Sequence, residues 1–421
     1  MIEDDDNILE RLIGGIKTAT NPKSEDQLLE RVTELQASEK KVSSLENLDT
    51  SLELPSSLRK EQPDSGPSAS EGAAGSIAPS TKTGKGEKKQ APVGTMVGLD
   101  VGTSRIVGIS IDRSSDPKSR RELNAYFTVP YSDFAKQMLE KNRMHFSQLG
   151  DELAIYGFDA QTFANMFNGE ILRPMQTGLL RPDDERSLPM EKKIIEAVIG
   201  RAGTLGEHCC FSIPSPIVGQ ESNLIFHEQV LKKYLLGMGY KAKGITEGTA
   251  VVLSELASSN YTGIGISMGA GMCNVCFSFL SVPIVVFGTD RGGDYIDASV
   301  SRVVKEPMNK VRLIKEQELN LGKAPTSNLE NALHVYHEEL ISNLLSTLST
   351  ILANASNFPQ INEDIPVVIS GGTSAPAGFK SKFEKVLKNY RLPVQIGDVR
   401  VANDPHMAVA KGALIYATSM R

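Results

Sequence analysis

The sequence predicts an α/β fold from residue 96 onward, preceded by an extension without a packed core. In the later part, short apolar runs of strand length alternate with amphipathic stretches of helix length. Several apolar runs are joined across glycine-bearing turns, which is typical of β-hairpins. Residues 49–95 are instead rich in Ser, Pro, Gly, Lys and Glu and bury too little apolar surface to offset their ordering entropy. We therefore expect a mostly disordered tail at 1–95 and a globular domain at 96–421.

The composition limits the classes of function. The 421 residues are 40% hydrophobic and 23% charged, which suffices for one large or two medium cores. A formal net charge of −6 offers no basic surface, so we expect no nucleic-acid partner. There is no apolar run of roughly 18 residues to span a bilayer, and the acidic N-terminus does not resemble a signal peptide. Four cysteines suggest no disulfide framework, so a cytoplasmic location is expected.

The extension contains two segments with helical patterns. Apolar residues between Ile8 and Ile16 recur at helical spacing, beside an acidic run at 3–6. This patch fits a helix that docks on a protein partner or a membrane surface, or a solvated tail with no specific role. A second segment, 24–48, begins with a capping-box pattern and predicts another helix. The residues alone leave these roles open.

The first motif of the domain is a predicted hairpin at 97–109. Its turn carries Gly102, Thr103 and Ser104, and glycine suits a positive φ or a close backbone approach there. Such a turn can surround a phosphate with its amides, and Asp100 at the strand end can hold Mg²⁺ through water. A plain hairpin is the alternative. No Walker A lysine follows and no helix opens here, which excludes the two common Gly-rich nucleotide motifs.

Two further glycine-bearing turns follow at a distance. A second hairpin at 263–277 carries Gly269, Ala270 and Gly271 at its turn, and a strand at 367–369 ends at Gly371, Gly372 and Thr373. The order and spacing of the three motifs, over about 96–420, resemble the actin-like ATPase superfamily, and most closely bacterial actins such as MreB and MamK.

This resemblance implies a two-lobed fold, with a duplicated mixed sheet flanked by helices and a nucleotide cleft between the lobes. It also implies that the first two turns hold the phosphates of ATP or GTP with Mg²⁺, and that the Gly-Gly turn packs on the adenosine.

The remaining elements follow in order. Apolar patterns predict strands at 125–130, 154–157 and 209–215, and helices at 132–143, 159–167, 188–198, 223–238, 331–353, 379–387 and 406–417. The segment 125–167 resembles the small insertion of bacterial actins. The segment 242–253 predicts a strand end followed by an apolar helix that crosses between the halves, and Gly412 is expected to let the last helix pack against it.

Glu247 lies at the start of that crossing helix. In the family that this chain resembles, a glutamate here lies near the γ-phosphate and positions the attacking water, a task for which a carboxylate is suited. The alternative is an acid that interacts with the helix dipole.

The second hairpin departs from the family pattern. Ser267 stands where the family usually has an aspartate that helps bind Mg²⁺, and Met272 stands where it usually has a threonine. A serine hydroxyl is a much weaker metal ligand. We therefore expect nucleotide binding rather than fast hydrolysis.

Two later segments resemble nucleotide contacts of the family. Gly292, Gly293 and Asp294 open a predicted helix whose N-terminal amides suit an anion, although a capped helix start is compatible too. Lys315 and Glu318, in a predicted helix at 311–319, are candidates for the ribose and base, with a solvated charged face as the alternative.

The spacing of Cys273 and Cys276 also fits a metal or redox motif. A zinc site needs about four ligands, and only Cys209 and Cys210 are left to complete it. Adjacent strand residues point to opposite faces, so that pair is unsuited to chelation. We expect all four to be buried apolar residues.

The resemblance implies a bacterial cytoskeletal filament protein that self-associates under control of ATP binding and slow hydrolysis. One alternative is a non-polymerising ATP-binding adaptor that recruits a partner through its N-terminal tail. A sugar or acetate kinase shares the fold, but it usually needs a longer chain and an extra catalytic aspartate that we do not find.

Overall fold

A computed structural model describes residues 95–112, 116–167, 169–220, 223–355, 361 and 363–420. The helical segments predicted at 8–16 and 24–48 lie outside the described residues.

The described chain alternates strands and helices as the sequence pattern predicts. The strands are β1 Met96–Val101, β2 Arg105–Ile111, β3 Lys118–Leu123, β4 Tyr126–Pro130, β5 Phe146–Leu149, β6 Glu152–Tyr156, β7 Met175–Gln176, β8 Leu179–Leu180, β9 Glu207–Ile213, β10 Tyr240–Thr246, β11 Gly263–Met268, β12 Cys273–Phe279, β13 Val282–Thr289, β14 Ile365–Ser370 and β15 Ile396–Val401. The α-helices are α1 Asp133–Lys141, α2 Phe158–Phe167, α3 Ser187–Ile199, α4 Leu224–Gly237, α5 Glu247–Glu255, α6 Gly293–Val304, α7 Met308–Gln317, α8 Asn328–Asn354, α9 Phe379–Leu387 and α10 Ala408–Ser419, and short 3₁₀ turns lie at Ala257–Ser259 and Gly372–Ser374.

Two five-stranded sheets share one topology. The first has the order β10-β9-β1-β2-β3 and the second the order β13-β12-β11-β14-β15. In each, three consecutive strands form an antiparallel meander, and two later strands add in parallel beside the first strand of that meander. This repetition is the predicted duplicated mixed sheet, and each sheet is the centre of one lobe.

The small insertion is also present as predicted. Strands β4, β5 and β6 form a separate antiparallel sheet in the order β4-β6-β5, and helices α1 and α2 accompany it. Ser132 caps α1, because its hydroxyl accepts a hydrogen bond from the Ala135 amide. The insertion also has a hydrophobic core of its own, which is centred on Leu139, Leu153 and Ile155.

Helices α5 and α10 cross between the lobes, as expected for the predicted connection. Helix α5 follows a strand of the first sheet but packs on β11 and β12 of the second, and α10 follows the second sheet but packs on β1 and β9 of the first. A Cβ at Gly412 would collide with the backbone of Ala250, so glycine lets the helices touch. The predicted close packing of Gly412 is thus confirmed.

The cores lie on the faces of the two sheets and between the crossing helices. The four cysteines are buried in these cores and none forms a disulfide, in agreement with their predicted apolar role. Among the described residues, no helix has the length and apolarity needed to cross a membrane.

Candidate functional site

The turn between β1 and β2 presents free amides to the cleft between the lobes. The Gly102 amide closes the turn by donating to the Arg105 carbonyl at 3.1 Å. The amides of Thr103 and Ser104 donate to no described residue, and both residues line the cleft. Gly102 does not adopt a positive φ. A Cβ there would lie 2.9 Å from the Arg105 oxygen, so close approach is the reason for glycine.

The turn between β11 and β12 has a similar arrangement. The Gly269 amide donates to the Met272 carbonyl at 2.9 Å. The carbonyls of Gly269 and Ala270 accept from the first amides of α6, at Gly293 and Asp294. The amides of Ala270 and Gly271 donate to no described residue, and both residues line the cleft.

A short hairpin closes the cleft beside these two turns. It joins β7 and β8 through Thr177 and Gly178, whose φ angles of 47° and 81° are those of a tight hairpin turn. The Gly178 amide donates to the Thr103 hydroxyl at 3.0 Å. A Cβ at Gly271 would collide with that hydroxyl and with Gly178. The β1–β2 turn and the β11–β12 turn are thus in contact through Thr103. Neither the β7–β8 hairpin nor its contact with these turns was predicted from the sequence.

The third motif supports the second turn. Gly371 has a φ of 90°, and a Cβ there would collide with the Met268 carbonyl at the end of β11. The Thr373 hydroxyl donates to the Gly269 carbonyl at 2.8 Å. Gly372 faces the cleft beside His406. The Gly-Gly turn therefore lies next to the second turn, and Gly371, Gly372 and Thr373 all line the cleft.

Two partly exposed carboxyl groups, those of Asp100 and Glu247, lie close enough in the cleft lining to influence each other. Asp100 Oδ1 accepts from the Ser212 hydroxyl at 2.9 Å, and Glu247 Oε2 accepts from the Ser267 hydroxyl at 2.7 Å. Burial raises the pKa of Asp100, against the opposing effect of Ser212. Burial and the charge of Asp100 raise the pKa of Glu247, against hydrogen bonds from Ser267 and Asn274. Near neutral pH, Glu247 therefore favours the neutral acid, whereas Asp100 stays mostly ionised.

Ion pairs join the lobes across the mouth of the cleft. Arg173, which precedes β7, donates to both oxygens of Asp294 in α6 at 2.8 and 2.9 Å. Arg105 in β2 donates to Glu316 in α7 at 3.1 Å. All four residues line the cleft, and only Asp294 was a sequence candidate.

A second set of charges holds the start of α6 in place. The buried Lys315 ammonium lies 2.7 Å from Asp297 and donates to the Gly293 carbonyl at 2.9 Å. Arg312 bridges Asp294 and Asp297. Lys315 thus reaches the cleft, but its ammonium is already engaged within the protein.

The cleft is open to solvent and is lined by residues of both lobes. Of the sixteen residues predicted for the site, all but two line it. Gly292 lies behind the second turn, where a Cβ would collide with the Ala270 carbonyl. Glu318 follows the end of α7 and is not among the lining residues, whereas Glu316 is.

The residues present fit a magnesium ion held jointly with phosphates. No group of three or more acidic, histidine or cysteine side chains that would hold a metal is found in the described part of the chain. Asp100 and Glu247 nevertheless form an acidic pair with no cationic partner among the described residues, which suits a cation that brings phosphate and water ligands with it.

Comparisons with known proteins agree with this architecture. A MamK double helical filament matches with a TM-score of 0.59 and 17% identity, over 78% of this chain and 99% of that one. A non-polymerising MamK mutant bound to AMPPNP gives 0.51 and 18%, over 78% and 100%. MreB 5 of Spiroplasma citri bound to AMPPNP gives 0.51 and 12%, over 77% and 96%. A search of curated proteins gave no significant match.

At these identities the structural matches show the fold, which is that of the actin-like ATPases. The family model described as Volactin matches residues 96–417. Because this match spans most of the chain, the protein belongs to the volactin family.

Proposed function

We propose that this protein binds a nucleoside triphosphate with Mg²⁺ in the cleft and assembles into filaments whose polymerisation responds to the bound nucleotide. ATP is the expected nucleotide and GTP the alternative.

The observation that carries the proposal is the set of four free amides on two opposed turns. Thr103 and Ser104 belong to one lobe, and Ala270 and Gly271 to the other. Residues outside each turn donate to its carbonyls, Asn124 in the first turn and the start of α6 in the second, which leaves the amides for the cleft. Clusters of free backbone amides are suited to phosphate oxygens and do not depend on a charged side chain.

Asp100 and Glu247 are the residues that would hold Mg²⁺, through water and phosphate oxygens. A bound ion there would offset the charge of the phosphates and of the acidic pair. We infer that Gly371, Gly372 and Thr373, which line the cleft together with His406, would contact the adenosine.

Hydrolysis is expected to be slow. Glu247 is the candidate to orient the attacking water. Ser267 donates to Glu247 and adds no negative charge to the site. Slow turnover would keep the protein in the triphosphate state long enough for assembly.

Filament formation is supported by the shared fold and by the two-lobed construction. Helices α5 and α10 connect the lobes, so a ligand that contacts both lobes can bias their relative orientation. Among the matched structures, a MamK double helical filament is itself an assembly.

A non-polymerising adaptor is the second candidate, favoured by Ser267 alone. Binding without turnover would suffice for such a protein, and its partner would dock on the N-terminal tail. Under either proposal we expect a cytoplasmic location, because the four cysteines form no disulfide and suit a reducing compartment.

Electron microscopy and pelleting of the purified chain distinguish the candidates. Filaments that appear with Mg²⁺-ATP or Mg²⁺-GTP and disappear without nucleotide would support the first. Particles that stay monomeric while binding nucleotide would favour the second. Absence of nucleotide binding would contradict both.

A further inference from the structure

A buried acid and a buried amide lie directly behind the first phosphate-type turn. Glu191 in α3 and Asn124, which follows β3, are both fully buried, and neither lines the cleft. They are therefore separate from the acidic pair in the cleft lining.

Asn124 holds the turn at two points. Its backbone amide donates to the Ser104 carbonyl at 2.9 Å, and its side-chain nitrogen donates to the Gly102 carbonyl at 3.0 Å. Both carbonyls are thereby fixed toward the interior. The amides of Thr103 and Ser104 are left on the cleft side of the same turn.

Glu191 holds Asn124 in turn. The Asn124 side-chain nitrogen also lies 3.4 Å from Glu191 Oε1. Asn124 Oδ1 and Glu191 Oε2 are both buried and have no hydrogen-bond partner among the described residues. An ionised carboxylate would leave the amide oxygen without a donor, which is costly in a buried site.

One proton on Glu191 removes this deficit. When a carboxylic acid faces a primary amide, the amide N–H donates to one acid oxygen and the acid O–H donates to the amide oxygen. The two unpartnered oxygens are thus natural partners once Glu191 is neutral.

The surroundings favour the neutral acid. Burial raises the pKa of Glu191 to about 8, against the hydrogen bond from Asn124. Strands β2 and β3 pack against α3, the helix that carries Glu191. The other charged and titratable groups on these three elements, and those near the N-terminus of α3, have other partners or reach solvent. They are Arg105 with Glu316, Arg120 with the Ala197 carbonyl, Glu122 with the Phe158 amide, Glu196 with Arg201, Tyr126 and Arg181 with Asp184, Arg186 with Glu152, the exposed Lys118 and Arg121, and the half-buried Lys192 and Lys193.

We propose that Glu191, in its protonated form, is a positioning residue that keeps the first turn ready for phosphate by fixing Asn124 against the Gly102 carbonyl. This inference rests on the proposed nucleotide binding. Ionisation of Glu191 would break its bond to the Asn124 oxygen and loosen the turn. Nucleotide affinity should therefore fall as the pH rises through the pKa of Glu191.

Calorimetric titration of the full chain with Mg²⁺-AMPPNP between pH 6.5 and 9 tests this role. Glu191→Gln keeps both hydrogen bonds without a proton to lose, and Glu191→Leu removes both. Glu196→Gln, on the same helix but facing Arg201, is the matched control. Circular dichroism confirms folding of each variant.

We expect wild type and Glu196→Gln to lose affinity above about pH 8, while Glu191→Gln keeps a flatter profile. Glu191→Leu should bind about tenfold more weakly at pH 7. If wild type binds but Glu191→Gln shares its pH profile, the positioning role fails while the proposed function stands. If Glu191→Leu does not fold, the pH profiles of nucleotide affinity in wild type and Glu191→Gln alone decide whether Glu191 has the positioning role. If wild type binds no nucleotide at any pH, the proposed function fails, and the positioning role fails with it.

Discussion

The hydroxyl of Ser267 donates a hydrogen bond of 2.7 Å to the carboxyl group of Glu247. It thereby joins the second hairpin of one lobe to the start of the crossing helix α5. Asp100 of the other lobe lies close enough to raise the pKa of that carboxyl. Ser267, where the sequence departs from the family pattern, is thus in direct contact with one member of the acidic pair.

Replacing Ser267 by Asp is expected to increase nucleotide hydrolysis. The new carboxylate would supply the missing negative charge beside Glu247 and strengthen binding of a divalent cation. Without Mg²⁺ it would repel Asp100 and Glu247 and lower the melting temperature. Phosphate release and thermal unfolding, each with and without Mg²⁺, measure both effects. Ser267→Ala is the control, and an unchanged rate of phosphate release in Ser267→Asp would contradict this explanation of slow turnover.

Replacing Gly102 by Val is expected to abolish nucleotide binding. A Cβ at this position lies 2.9 Å from the Arg105 oxygen, so the turn must open and its free amides must move. Gly237→Val is the matched control, because a Cβ at Gly237 meets no atom within 4 Å. Calorimetry with Mg²⁺-AMPPNP should show no binding for the first variant and wild-type affinity for the second. Equal affinities would refute the assignment of this turn.

Replacing Gly412 by Ala is expected to destabilise the domain by about 1–3 kcal/mol, as for other overpacked interiors. The added methyl group collides with the Ala250 backbone, so helices α5 and α10 must separate. Urea unfolding followed by circular dichroism measures the loss, with Lys411→Ala on the same helix as the control. A midpoint equal to that of wild type would show that the crossing helices tolerate separation.

Stability is expected to fall in mild acid because of buried histidines. Burial lowers the pKa of His227 to about 4, and its Nδ1 accepts from the Leu180 amide at 3.2 Å. The unfolded chain therefore binds more protons than the folded chain as the pH falls below about 6.5. This contribution to the free energy of unfolding is present above that pH and is lost toward pH 4, at up to about 1.4 kcal/mol per pH unit.

Urea unfolding at pH 7.5, 6 and 5 measures this loss. His227→Gln should reduce the pH dependence, whereas His208→Gln, at a half-buried position of the otherwise mostly buried β9, should not. If both variants keep the wild-type slope, His227 does not account for the acid sensitivity.

Local patterns were sufficient to predict much of the fold. The apolar periods and glycine turns specify β1–β2, β11–β12 and the end of β14, because these features depend on residues close in sequence. The duplicated sheet itself came from the resemblance and was then confirmed by the matching strand orders.

The contacts across the cleft were not predictable in the same way. Arg173 pairs with Asp294, and Arg105 with Glu316, only after distant segments have folded together. The tight turn at Thr177 and Gly178 does carry a local signal, a two-residue hairpin loop ending in glycine, which could have been found. Glu316, within α7, lines the cleft, whereas Glu318, just after the end of that helix, does not.

A crystal structure of the protein grown with Mg²⁺-AMPPNP tests the central claim most directly. The account predicts the phosphates between the free amides of Thr103 and Ser104 on one side and those of Ala270 and Gly271 on the other, with the metal beside Asp100. A cleft that stays empty at saturating nucleotide, or phosphates bound elsewhere, would contradict it.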